Sequence, residues 1–350
     1  MHEIKKQAED FIVEEITPEG EVLSIDKAYS FKESEGEHLI CVMVKKNWDL
    51  QLAIKKIAKH FGVSASRIGF AGTKDKKAIT SQRISLWNIK KEQAENLKTK
   101  DIELKPLYYS NERIELGDLQ GNHFRIKVYA DEMKEVPEKI PNYFGEQRFG
   151  TTRPITHLVG EQIIRGETEK AVKIYLAKDY PSESEEARSA RQRLAKDYDY
   201  KKALKYFPLY LKFERTMLAH LAEHYNDYAG ALRKLPKFLK IMFTHSYQSH
   251  LFNKYLDRVK GKNYEDGPLY GFELELKNND EKKVLEEENL ELSDFKVKSM
   301  PEMSSKGMRR DLFIKLKNFK VIEKTDEYYL ISFDLPKGTY ATTVIDFLFS

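Results

Sequence analysis

The two ends of this chain are patterned for strands and its middle for helices. Residues 11–16, 38–45, 79–87, 102–109 and 122–129 alternate or run apolar as strands do, and so do 313–319, 321–324 and 328–334. Between them lie short, charged helical periods at 161–166, 169–177, 183–196, 201–207, 209–222 and 228–235, then a helix opening at His245 and closed by Gly261. Strands, helices, strands is the order expected of a helical domain inserted into a sheet domain. We therefore expect an α+β chain, with the sheet domain over 1–160 and 310–350 and the insertion over 161–309.

The clearest strand is 122–129, where His123, Arg125 and Lys127 alternate with Phe124, Ile126 and Val128, giving one basic and one apolar face. The clearest helix is 50–61, capped by Asp49, buried through Leu50, Ile54, Ile57, Ala58 and Phe61, and stopped by Gly62. Less regular expectations are a short strand at 22–25, an exposed helix at 90–100, a strand at 267–276 and a solvated acidic stretch at 281–290. The strand-rich end runs on into the apolar residues 344–349.

Composition excludes several classes. The 350 residues are 41% hydrophobic and 33% charged, which suits a large globular core with a very polar surface. The net charge is only +4, so any nucleic-acid site must come from clustered cations rather than bulk charge. Cys41 is the single cysteine, which rules out an intrachain disulfide and a cysteine-based zinc site. The charged start Met1-His2-Glu3-Ile4-Lys5-Lys6 is no secretory leader, and no apolar run approaches the roughly 20 residues that span a bilayer. A soluble, cytoplasmic protein with no membrane partner is expected.

One stretch could carry chemistry. Gly72-Thr73-Lys74-Asp75-Lys76-Lys77 sets a single carboxylate among lysines, which favour its ionised form and offer cations to a polyanion. Read alone, it is first of all a turn. It is not a P-loop, because the glycine spacing is absent and Asp75 stands where Ser or Thr should bind magnesium. No dinucleotide fingerprint, nucleophile elbow or histidine metal motif is present, and His245 and His250 are read as structural or RNA-facing. A two-carboxylate glycosidase stays open by pattern. The second landmark is Pro141-Asn142-Tyr143-Phe144-Gly145-Glu146-Gln147-Arg148-Phe149-Gly150, where aromatics, an amide and an arginine could stack on a base and read its edge, or form an aromatic core turn. An activated aspartate with such groups suits an enzyme acting on one nucleotide.

These landmarks resemble the TruD family of tRNA pseudouridine synthases. The resemblance is carried by Glu9-Asp10-Phe11-Ile12-Val13, Gly36-Glu37-His38-Leu39, Phe70-Ala71-Gly72-Thr73-Lys74-Asp75-Lys76, Thr80-Ser81-Gln82, Gly121-Asn122, Asn142 to Gly150 and Leu335-Pro336-Lys337-Gly338-Thr339-Tyr340-Ala341-Thr342, in that order. It implies a mixed, mainly antiparallel pseudouridine synthase sheet with an inserted helical domain. It also implies isomerisation of a tRNA uridine, at the thirteenth position by analogy, by a monomer using neither cofactor nor metal. By the family's motif Asp75 is the catalytic aspartate, attacking C1′ or removing the C2′ proton. Lys5 and Phe11 then lie near it, Asn142 and Phe144 fit base recognition, and Tyr340 stands where a bacterial-type motif more often has Phe. A phosphate floor is expected from Lys76, Lys77, Arg83, Arg125, Arg148, Arg153, Arg309 and Arg310. The rival reading is a non-catalytic RNA-binding or RNA-chaperone protein on the same fold.

Overall fold

The computed structural model describes residues 2–349. The chain packs as two compact units, Met1–Ile140 with Ile314–Ser350, and Pro141–Phe313. Residues 141–160 thus go with the helical unit by their contacts. The Asn253 side chain accepts from the Phe144 N–H and donates to its carbonyl, both at 2.9 Å, and the Thr156 and Ser246 hydroxyls lie 2.8 Å apart.

The first unit is built on a nine-stranded sheet. Its strands are β1 (Glu3–Ile4), β2 (Phe11–Ile16), β3 (His38–Lys46), β4 (Ile68–Phe70), β5 (Ile79–Trp87), β6 (Ile102–Ser110), β7 (Gly121–Tyr129), β8 (Lys317–Lys324) and β9 (Tyr329–Pro336). They run in the order β8-β9-β7-β2-β5-β3-β6, with β1 on β7 and β4 on β5. Only β2 and β5 pair in parallel; every other pairing is antiparallel.

Two helices cover one face of this sheet. Helix α1 (Leu50–Phe61) begins where the Asp49 side chain accepts from Leu52 N–H and ends at Gly62, whose φ of +67° and N–H contacts close the last turn. Its Leu50, Ala53, Ile54 and Ile57 pack on Leu39, Cys41 and Met43 of β3 and Ile84 and Leu86 of β5. The C-terminal helix (Ala341–Phe349) puts Ala341, Val344, Ile345 and Leu348 onto Phe11, Val13, Phe124, Ile126, Ile331 and Phe333. The spacing 341, 344, 345, 348 is helical, so the apolar end joins the core as a helix, not as a further strand. Val13 lies opposite Thr80, and Thr80 opposite Lys45, so both cores share this face and Lys45 stands at the seam between them. Gly121 explains its motif: a Cβ there would meet the Leu335 carbonyl oxygen at 2.2 Å, closing the approach of β7 to β9.

In the second unit, α2 (Thr156–Ile164), α3 (Thr168–Ala177), α4 (Glu185–Asp197), α5 (Tyr200–Tyr206), α6 (Lys212–Glu223) and α7 (Tyr228–Arg233) lead to the long α8 (Lys237–Arg258). Helix α8 begins eight residues before His245, just after Pro236, which serves as its N-cap. It buries Phe243, Tyr247, Leu251, Phe252 and Tyr255. Three expectations are corrected. Residues 22–25 make only an isolated bridge from Val22 to Ile16, and the strand expected over 267–276 is limited to Asp266–Leu269. The acidic stretch is helical over Asn279–Glu287 and buries Glu281 completely against Arg309, at 2.7 Å.

Candidate active site

Asp75 lies in the loop joining β4 to β5, which is pinned by Lys5 and by side chains of β2, β3 and β5. At its carboxylate, Lys5 Nζ donates to Oδ1 at 2.6 Å, with side-chain exposures of 14% for Lys5 and 32% for Asp75. The other carboxylate oxygen accepts no hydrogen bond among the described residues. The Lys5 backbone sits at φ +59°, a left-handed conformation that costs a lysine about 1 kcal/mol or more. Buried Asp10 secures that kink: its carboxylate accepts from Gln7 N–H at 2.9 Å and from the Tyr129 hydroxyl at 3.4 Å. The Lys5 ammonium then rests 3.9 Å above the Phe11 ring centroid, a cation–π contact.

Behind the loop, Lys45 Nζ donates to the Asp75 carbonyl at 2.8 Å and to the Trp48 carbonyl at 2.9 Å. Lys45 is wholly buried, and burial, opposed by the nearby Asp75 and Asp49 carboxylates, pushes its ammonium down to about 8. Gln82 Nε2 donates to the Gly72 carbonyl at 2.9 Å. Lys74 Nζ donates to Glu15 Oε2 at 3.1 Å, with both side chains almost entirely shielded from water. Burial lowers the Lys74 ammonium as well, against the pull of Glu15.

The charge around Asp75 therefore comes from elsewhere than its sequence neighbours. Lys74 turns inward to Glu15, while Lys76 and Lys77 are exposed and make no ion pair among the described residues. Successive side chains in an extended loop point apart, so adjacency in sequence does not place them against the carboxylate. The contacting cation is Lys5, brought across from the chain's start.

Other expected site residues are distributed unevenly. Phe11 is 1% exposed and acts as the platform under Lys5 rather than as an open stacking face. Arg83 is also buried: its guanidinium donates to the Asp118 carbonyl at 2.8 Å and faces Glu15 at 3.7 Å, so it ties a strand to a loop instead of facing solvent. Arg125 is engaged by Glu14 and Asp26, Arg153 by Glu183 and Glu214, and Arg309 by Asp266 and Glu281. Of the phosphate floor read from sequence, these four arginines hold the fold. Tyr340 is half-buried immediately before the C-terminal helix.

Asn142, Phe144 and Arg148 belong to the helical unit. Asn142 Nδ2 donates to the Asp311 carbonyl at 2.8 Å, and its Oδ1 accepts from Arg310 at 2.5 Å. Arg310 lies 4.1 Å over the Phe144 ring centroid, and Arg148, donating to the Ser249 hydroxyl at 2.9 Å, lies 5.5 Å from it. A guanidinium on the face of an aromatic occupies the place a flat base would take.

Lys45, Glu15 and Gln82 form the part of the site that sequence reading missed. A signal was available for two of them. Lys45 shares the strand parity of Leu39, Cys41 and Met43, and Glu15 that of Phe11 and Val13, so each is a charge at a core position. Chemically, the loop presents one half-exposed carboxylate with a free oxygen, fixed in place and accompanied by cations. Such a group can accept a proton or attack a carbon. Among the described residues no cluster of His, Cys, Asp or Glu is arranged to hold a metal, and no helix is long and apolar enough to cross a membrane.

Comparison with known proteins bears on which reaction this is. A sequence model of the family described as tRNA pseudouridine synthase D (TruD) matches residues 2–266 and 259–346. A probable tRNA pseudouridine synthase D 1 from Methanocaldococcus jannaschii is 38% identical, the alignment spanning 98% of this chain and 94% of that protein. Its counterpart from Methanopyrus kandleri is also 38% identical, over 89% of this chain and 85% of that one. The crystal structure of a putative tRNA pseudouridine synthase D from Methanosarcina mazei superposes with a TM-score of 0.76 at 33% identity, covering 99% of this chain and 93% of that chain.

Proposed function

The chain belongs to the tRNA pseudouridine synthase D (TruD) family, and from that membership we propose that it isomerises a specific uridine of tRNA, at the thirteenth position, to pseudouridine, with Asp75 as the working carboxylate. The observation that carries the assignment is the Asp75 carboxylate itself. One oxygen is held by Lys5, the other is open to a reacting atom, and the backbone carbonyl is anchored by Lys45. The target nucleotide is turned out of its stack so that its C1′ and C2′ become reachable. The bond between C1′ and N1 breaks, the uracil rotates, and C1′ bonds to C5. The C5 proton departs and N1 gains one, so atoms and electrons balance without an oxidant or reductant. Asp75 opens the sequence either by attacking C1′ or by taking the C2′ proton, and both routes start from the carboxylate.

For the base we assign Phe144 as the stacking ring and Asn142 as the edge-reading amide. Asn142 Oδ1 accepts from Arg310 and keeps a second lone pair with which to accept from the uracil imide N–H. Tyr340 supplies a second ring. Lys76 and Lys77, exposed beside Asp75, meet the tRNA backbone. The sheet unit is assigned as the catalytic domain, the helical unit as the insertion that holds tRNA, and the cytoplasm as the site of action.

The test follows tritium released from C5 of uridine in tRNA, together with chemical mapping of the product. Wild-type protein is expected to release tritium and place one pseudouridine, and Asp75→Asn to release none while still binding tRNA. Release by Asp75→Asn at the wild-type rate would falsify the assignment of Asp75. Free uracil instead of pseudouridine would make the protein a glycosidase.

A further inference from the structure

We propose that Lys45 is a positioning residue of this active site: from the end of β3 its ammonium holds the Asp75 backbone carbonyl and so sets where the Asp75 carboxylate stands. The inference rests on the reading of Asp75 as the working group.

Lys45 occupies a position that the sheet's own pattern reserves for an apolar side chain. Leu39, Cys41 and Met43 precede it on the same face, all buried, and Lys45 itself has no exposed surface. An ammonium stripped of water is costly, and such groups persist where carboxylates or other acceptors compensate them. No carboxylate touches Lys45 among the described residues. Its two partners are backbone carbonyls, one at Trp48 in the turn leading to α1 and one at Asp75. It therefore links two irregular segments, and one of them carries the catalytic carboxylate. A core that needed only volume at this seam would be served by Met.

The other anchors do not duplicate this one. Gln82 holds the loop at Gly72, and the Lys74–Glu15 pair holds it one residue before Asp75. Lys5 touches the carboxylate but leaves the backbone of residue 75 alone. The charged groups facing Lys45 are Asp75 from the loop and Asp49 from the α1 cap, which retain its proton, and Lys74, which repels it. Burial outweighs the two carboxylates and brings the ammonium down to about 8, so its charge is lost on the alkaline side of neutrality.

The experiment compares Lys45→Met, Lys45→Arg and Asp75→Asn with wild type, using single-turnover C5-tritium release from tRNA across pH 6.5 to 9.5. Lys45→Met is expected to lower the rate constant about 10- to 100-fold, the scale of a misplacement near 1 Å, with tRNA affinity within about twofold. Lys45→Arg, whose guanidinium keeps its proton, is expected to recover most of that loss and to lack the wild type's alkaline decline. A folded Lys45→Met that reacts at the wild-type rate overturns the proposal. So does one that loses rate only in proportion to its folded fraction. Should Lys45→Met fail to fold, superimposable pH profiles for wild type and Lys45→Arg overturn it, and a displaced profile supports it. An inactive wild type would sink the functional reading instead, whereas active wild type, dead Asp75→Asn and unaffected Lys45→Met would sink this inference alone.

Discussion

Two groups of charged side chains, one in each unit, show how similar ion pairs serve different ends. In the helical unit, Arg191 is 1% exposed and donates to Glu183 at 2.9 Å, to Glu214 at 2.8 Å, and to the carbonyls of Tyr175 and Leu176. Arg153 closes the same cluster against both glutamates, and burial followed by repulsion from Arg191 brings its guanidinium down to about 10. Four side chains pair with one another, and none is more than 12% exposed, so the cluster is closed to a ligand. In the sheet unit, Lys5 and Asp75 are as close, at 2.6 Å, yet both keep a share of solvent and Asp75 keeps an oxygen without a partner. Enclosure marks a group that holds the fold, and an unspent acceptor within reach of solvent marks one that can act.

Paired substitutions test that contrast most severely. Asp75→Asn is expected to cost about 10³- to 10⁴-fold in the rate of uridine isomerisation while changing unfolding free energy by less than about 1 kcal/mol. Arg191→Met is expected to do the reverse, costing about 3–5 kcal/mol in urea unfolding because two carboxylates lose a buried partner, with the activity of the folded fraction retained. The contrast collapses should Asp75→Asn unfold the protein or Arg191→Met leave its stability intact.

Removing the Lys5 partner gives a smaller effect. Lys5→Met is expected to slow turnover about 10- to 100-fold, since the carboxylate loses its neighbouring charge and its orientation, with stability again shifted by no more than about 1 kcal/mol. A loss as deep as that of Asp75→Asn would show that the two act as one unit. An unchanged rate would make the pair ornamental.

The smallest effect is one of pH on the helical unit. His157 stacks on His250 with ring centroids 5.0 Å apart, and burial, then the charge of His250, hold its imidazole down to about 4. An unfolded histidine takes up its proton near 6.5. Between those values the unfolded chain binds the proton and the folded chain does not, so stability falls as pH drops through this window. His157→Phe should flatten the decline in urea midpoint between pH 6.5 and 4. A wild-type midpoint that holds steady there would count against a neutral His157.

Much of the sheet was legible because its information is local. Asp49 and Gly62 bound α1 as their capping chemistry requires, and Phe124, Ile126 and Val128 face the core as their alternation demands. The apolar run at 344–349 fits either period and so carries no element type of its own, and the error arose where acidic composition stood in for exposure, as at Glu281. The partners of the arginines were hidden from sequence for a similar reason. Arg83, Arg125, Arg153 and Arg309 find their carboxylates only across strands and helices.

Sequence alone determined the order of strands, helices and strands, the family resemblance, and Asp75 as the carboxylate to watch. Lys5 followed from the resemblance, but tertiary structure alone decided that Lys74 leaves the carboxylate and that Lys45 holds its backbone. The lysine at position 74 turns away to Glu15, while Lys5 arrives from 70 residues upstream and Lys45 from 30. Ion pairs and hydrogen bonds act over about 3 Å, and contacts of that reach between distant residues are set by strand register and loop path, which no local pattern encodes.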